Sequence, residues 1–202
     1  MKFIIVGLHS SGKHDIANKL DEMGLKYGKL FSNADLNSNH PNNIYNRDGF
    51  EVYTNNDIDE IFENKAYIFM HDHRDSGLTD SIKTFEGLSK YTYDNNDVFV
   101  LSPDQLLSIS ETNIPKDAVY ILIDNTLSKR KEYYRYQKYE YDFTFRERLE
   151  TADIKEYIRT LYNIAGDKVL YFTNEEQERI VAIIYALYHH QELIPIFIKN
   201  FN

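Results

Sequence analysis

Cysteine is absent from the 202 residues. That excludes a disulfide framework, an iron–sulfur cluster, a thiol nucleophile and cysteine-ligated zinc. Cations are in deficit: 23 Lys+Arg stand against 32 Asp+Glu, a net charge of −9. Bulk nucleic-acid binding needs clustered cations to meet the phosphate backbone, so that class is disfavoured. Long apolar runs are missing too. The opening stretch Met1–Val6 is too short for a signal peptide or a membrane span, so the expectation is a soluble, cytoplasmic protein with no membrane partner. What is present suffices for a core: 42% of residues are hydrophobic and 14% aromatic, which excludes a disordered chain. The length suits one domain with room for an inserted subdomain.

Phe3-Ile4-Ile5-Val6 is a continuous apolar run, the pattern of a buried parallel strand. Gly7-Leu8-His9-Ser10-Ser11-Gly12-Lys13-His14 follows. It matches G-x-x-x-x-G-K-[ST] through the lysine, with His14 where Ser or Thr belongs. Ile16, Leu20 and Met23 then form one helical stripe, and Gly24 marks its end. Strand, glycine loop and helix are the setting in which backbone N–H groups cradle phosphate oxygens at a helix N-terminus. Gly7, Ser10, Ser11, Gly12, Lys13 and His14 are therefore candidate ATP-binding residues, with Lys13 a point charge for the β/γ-phosphates. The hydroxyl replaced by His14 is the one that normally meets Mg²⁺, and imidazole suits that hard ion poorly.

Further apolar runs, Ala66–Met70, Val98–Leu101, Val119–Ile123 and Val169–Phe172, read as strands alternating with helices around a largely parallel sheet. Ser102 with Pro103 starts one helix, and another carries Ile180, Ile183, Ile184 and Leu187. Two stretches break the pattern. Residues 32–80 hold ten acids against three cations, a net −7, and residues 129–148 hold seven cations against four acids, a net +3. The expected organisation is one α/β domain: a core of 1–31, 97–128 and 149–202, an acceptor-binding insert 32–96 and a basic lid 129–148. Asp72, Asp104 and Asp124 each end or follow an apolar strand. Asp124, placed in the core, is the candidate for a water-mediated Mg²⁺ contact. His71 and His73 point the same way on a strand, which would suit a metal pair or an acceptor pocket. Tyr133, Tyr134, Tyr136, Tyr139 and Tyr141 fill the basic stretch and read as lid packing. The apolar tail Leu193–Ile198 needs burial, on the core or in a homodimer contact.

Together these features resemble the P-loop nucleoside monophosphate kinases, and the second half is similar to guanylate kinase. The resemblance rests on Tyr53–Phe62, on Phe85-Glu86-Gly87-Leu88-Ser89, and on Asp97–Leu101 with Asp104-Gln105. It also rests on Leu127-Ser128-Lys129 with Arg135, Lys138 and Arg146–Leu149, and on Asp167–Leu170 with Asn174-Glu175-Glu176. It implies a P-loop kinase fold and transfer of the γ-phosphoryl group of ATP, with Mg²⁺, to a nucleotide acceptor. Arg135, Arg146 and Arg148 would act beside Lys13 in catalysis, and Asn174 would join the ATP site. Ser32, Asp35, Tyr53, His71, Glu86, Ser89 and Asp104 would line the acceptor. The family grips the acceptor phosphate with a cation where Ser32-Asn33-Ala34-Asp35 has an acid, so the acceptor widens to another nucleotide, a nucleoside or a modified base. The alternatives are a non-catalytic nucleotide- or protein-binding module on the same fold, or a kinase acting on a nucleoside or on a base in nucleic acid.

Overall fold

A computed structural model of the chain describes residues 1–33, 49–73, 84–137, 143, 144, 147, 154–173 and 175–196. In chain order its elements are β1 (Lys2–Gly7), α1 (Lys13–Glu22), β2 (Leu30–Ser32), β3 (Phe50–Val52), α2 (Asn55–Glu63), β4 (Tyr67–His73) and β5 (Thr84–Ser89). There follow α3 (Lys90–Asn95), β6 (Val98–Leu101), α4 (Pro103–Leu107), β7 (Ala118–Ile123), α5 (Leu127–Gln137), α6 (Ile154–Ala165), β8 (Val169–Phe172) and α7 (Gln177–His189).

The continuous apolar runs become a four-stranded sheet ordered β6-β1-β7-β8, in which every pairing is parallel. Strands buried on both faces have no use for alternation, which is why β1 and β7 read as unbroken hydrophobic segments. Helices cover both faces. On one, Ile16, Ala17 and Leu20 of α1 meet Ile180, Ile184 and Leu187 of α7 over Phe3, Ile5 and Ile121. On the other, Ile4, Val6, Phe99 and Leu122 pack with Leu106 of α4 and Leu161 of α6. Each aliphatic side chain buried this fully contributes roughly 1.5–3 kcal/mol.

A second sheet, ordered β3-β2-β5-β4, leans on that same face through Leu30, Phe69 and Leu88. Its β2–β3 pair is parallel, while β5 runs antiparallel to both β2 and β4. The run Ala66–Met70, expected to extend the parallel sheet, instead opens β4 here. Gly87 of β5 accounts for the close stacking, since a Cβ there would come 2.4 Å from the Phe31 ring. These strands span Leu30–Ser89, so β2 straddles the boundary expected at residue 32. Leu193 and Ile194 of the apolar tail pack against the core, while Ile196 is exposed. Among the described residues, no helix is long and apolar enough to cross a membrane.

Candidate functional site

The loop after β1 is shaped by two left-handed residues, Ser10 (φ 54°) and Gly12 (φ 81°). Gly12 is also short of space, since a Cβ on it would come 2.1 Å from Gln177 Nε2 at the start of α7. Gly12 is the N-cap of α1 and makes no side-chain cap, and the first turn of the helix faces the loop. Lys13 is 7% exposed and its ammonium folds back to donate to Leu8 O at 3.1 Å. Gly7, Ser10, Ser11, Gly12 and Lys13 thus share one buried nest at the C-terminal end of the parallel sheet, where open α/β sheets bind ligands.

A chain of contacts leaves this nest and returns to it. Asn125 Nδ2 donates to Ser11 O at 3.0 Å, and Arg130 Nε donates to Asn125 O at 3.2 Å. The Arg130 fork grips Glu147 with two bonds of 2.6 and 2.8 Å. Glu147 Oε2 in turn lies 3.6 Å from His9 Nε2. Arg130, only 3% exposed, is a buried guanidinium beside the loop, while Arg135 on the same helix is exposed. Phe143 packs edge-on against His9 and Tyr134, closing the ring over the loop. From the neighbouring turn of α5, the Tyr133 hydroxyl donates to Asp15 and Lys129 Nζ donates to Glu175 O at 2.8 Å.

Beneath α5, between α1 and the start of α7, lies a cavity of about 560 Å³. Ser11, Asn125, Lys129, Tyr133, Glu175 and Gln177 are among its lining residues. Ser11, 2% exposed, keeps its Oγ buried without a hydrogen-bond partner, and Asn125 Oδ1 is in the same state. Buried polar atoms are nearly always satisfied, so these two, on residues that line the cavity, are an unmet demand beside it.

Across the core, the second sheet builds a polar row. Ser32 stands opposite Glu86 and Glu86 opposite His71, so all three share one face. Leu30, Leu88 and Phe69, two residues along the same strands, are the apolar floor beneath it. From α4, Gln105 Nε2 donates to Glu86 Oε2 at 3.0 Å, and Glu86 is 5% exposed. Gln105 Oε1 accepts from Ser102 N at 2.9 Å, which fixes the amide's orientation. Ser108 Oγ donates to Asp104 O at 2.8 Å and lies 2.9 Å from His71 Nδ1.

Of the residues anticipated for the acceptor, Ser32, His71 and Glu86 are thus brought together. The Asp104 carboxylate is taken up at its own helix start by Ser102 Oγ, 2.6 Å away. Tyr53 stacks on Phe31, on the opposite face from Ser32, and burial followed by the charges of Glu51 and Asp57 pushes its pKa up. Ser89 caps α3 through Thr92 N at 3.0 Å. Asp35, Arg146, Arg148 and Asn174 lie outside the described residues, as do the His73 side chain and residues 74 and 75. Sequence reading missed Gln105, Ser108, Asn125, Arg130 and Gln177.

The side chains at the loop do not fit a magnesium ion held as the motif usually holds it. The His14 ring turns away to Tyr27, with Nδ1 2.9 Å from its hydroxyl. The Asp124 carboxylate accepts from the Tyr171 hydroxyl, a bond that pushes the tyrosine pKa up. Among the described residues no group of three or more His, Asp or Glu could hold an ion.

No family model matches the chain, and no curated protein matches it in sequence. Solved structures do. A guanylate kinase from Anaplasma phagocytophilum overlays with a TM-score of 0.55 at 12% identity, covering 94% of this chain and 85% of that one. A sugar kinase from Janibacter sp. HTCC2649 covers 97% and 96% at 16% identity, with a TM-score of only 0.40. At such identities the first overlay establishes architecture: the chain has a kinase-like α/β fold.

Proposed function

We propose that the chain is an ATP-dependent phosphotransferase whose acceptor is a nucleoside monophosphate or a related nucleotide. One observation carries this reading: a left-handed glycine loop with a buried lysine stands beside a cavity lined by Ser11 and Asn125, each of which keeps a buried polar atom unsatisfied. The loop and the N-terminus of α1 suit the phosphates, and the cavity suits the nucleoside of the donor. The row of Ser32, Glu86 and His71 offers hydrogen-bonding edges for the acceptor.

On this reading the acceptor oxygen attacks the γ-phosphorus and the bond to the β-phosphate oxygen breaks, releasing ADP. Catalysis is then positioning and electrostatics. Lys13 neutralises charge on the β/γ-oxygens, and cations of the segment 129–148 close over the transferring group. Residues 143 and 147 already lie against the loop, and such closure excludes water that would otherwise hydrolyse ATP. No part of the reading needs a protein ligand for a divalent cation, whose charge the triphosphate itself would hold.

The test is incubation with ATP, Mg²⁺ or Mn²⁺ and a panel of nucleosides, monophosphates and single-stranded DNA, following ADP release and thermal shift. Acceptor-dependent ADP release is the expected result. A shift with ATP but no turnover on any acceptor would make the chain a nucleotide-binding module. No shift at millimolar ATP would remove the phosphate loop from the account.

A further inference from the structure

We infer that His14 is a positioning residue, a staple between the phosphate-loop helix and the root of the second sheet, and not a metal ligand. The inference rests on reading residues 7–14 as a phosphate loop. His14 is the second residue of α1, so its backbone belongs to the turn facing the loop. Its ring leaves in another direction. Nδ1 meets Tyr27 Oη at 2.9 Å, and the ring edge lies against Gly49. A Cβ on Gly49 would come 2.8 Å from His14 Cε1 and 2.5 Å from Tyr27 Oη, and its φ of +96° already favours glycine. The three residues therefore close on one another with no space left.

Their positions give the contact its meaning. Tyr27 is anchored to the first sheet by a parallel bridge to Val98, and its N–H donates to Asp21 Oδ1 at 2.9 Å. Gly49 O accepts from Leu30 N at 2.8 Å, at the point where β2 and β3 begin. Ser32 of the polar row lies two residues beyond Leu30. One residue thus gives its backbone to the donor's phosphates and its side chain to the strands that carry the acceptor row. A serine or threonine at position 14 would supply an oxygen for the cation, but its side chain stops short of Tyr27 and Gly49. The exchange of hydroxyl for imidazole trades a metal contact for a fixed spacing between the two sites.

Hydrogen exchange on the full-length chain separates this role from a general loss of stability. In the free protein, His14→Ser is expected to speed amide exchange about tenfold in segments 27–32 and 49–52 while β1 and β7 keep their rates. Tyr27→Phe, which keeps the ring and removes its partner, is expected to act on the same segments about threefold. Millimolar ATP is expected to protect residues 8–14 in both wild type and His14→Ser, and to protect 28–32 and 50–52 in wild type only. Unchanged exchange at 27–32 and 49–52 in His14→Ser would overturn the staple, as would acceleration spread evenly over both sheets. Electron spin-echo spectra of the wild-type Mn²⁺·ATP complex are expected to lack a histidine-nitrogen modulation. A modulation that disappears in His14→Ser would make His14 a metal ligand and overturn the inference. Absence of ATP protection anywhere would instead fail the phosphate-loop reading, while the free-protein rates still decide the staple.

Discussion

The two polar clusters of the molecule are made of different chemistry. Around the loop lie the N-terminus of α1, the Lys13 ammonium and the Arg130 guanidinium, the last paired with Glu147. Across the core, the row holds a carboxylate, an amide oriented by its own helix, an imidazole and two hydroxyls. The first suits an anion. The second suits a neutral edge read by hydrogen bonds, as a base would be. The shared core of Ile4, Val6, Leu30 and Leu88 joins the elements that carry the two clusters.

The contrast can be broken most sharply at Lys13. Lys13→Ala is expected to lower acceptor-dependent ADP release by about 10²–10³-fold, as loss of a group stabilising transferred charge does. An unchanged rate would leave the loop cluster with no role in phosphate handling. Arg130→Ala comes next, because it strands Glu147 beside the loop after removing two charged hydrogen bonds. A loss of about 2 kcal/mol, seen as a melting temperature lower by roughly 4–8 °C, is expected. Glu147→Gln should cost less, since an amide still accepts one bond from the fork. At the other cluster, Glu86→Gln is expected to raise the acceptor KM by about tenfold with ATP binding unchanged, one buried charged contact being worth about 1.4 kcal/mol or more. A shift in ATP affinity instead would merge the two clusters into one site.

The smallest expected effect lies in α2, on the margin of the second sheet. The Thr54 hydroxyl, and then its N–H, hold the Asp57 carboxyl below the usual carboxylate range. This contribution to the helix cap is present above the unfolded carboxylate pKa of about 3.9 and is lost as the pH falls through the lowered folded value. Protection of the α2 amides, taken relative to the intrinsic exchange rate at each pH, should therefore fall in acid in the wild type. In Asp57→Asn it should be low already near neutrality and nearly insensitive to that fall.

The clusters also differ in how far the sequence discloses them. The loop is contiguous: one apolar run, two glycines and a lysine, and the stripe Ile16–Leu20 all fall within the first 24 residues. Each is a local signal, so strand, loop and helix were legible with their boundaries. The row is assembled from Ser32, His71 and Glu86, which only strand register brings onto one face, and from Gln105, which reaches Glu86 from α4. Resemblance pointed to the first three and to Asp104, yet the next residue, Gln105, faces Glu86. No periodicity could choose between neighbours on a helix of five residues. The same holds in α5, where cations and tyrosines alternate with no apolar stripe. Nothing in Leu127–Gln137 shows that Arg130 is inside and Arg135 outside. The second sheet was hidden because β5 runs Thr-Phe-Glu-Gly-Leu-Ser, a pattern too mixed to advertise a central strand.

The placement of β1 between β6 and β7 has a kinetic consequence. The strand that ends in the glycine loop is synthesised well before its partners, residues 98–101 and 118–123. At about 5–20 residues per second, roughly 5–20 s pass before both flanks exist. During that interval Phe3-Ile4-Ile5-Val6 is an unpaired apolar strand edge, open to the wrong neighbour and dependent on chaperones or slow synthesis. The nascent chain is therefore most exposed to aggregation while its second sheet is being made, and the loop after β1 gains its flanking strands only once most of the polar row has been synthesised.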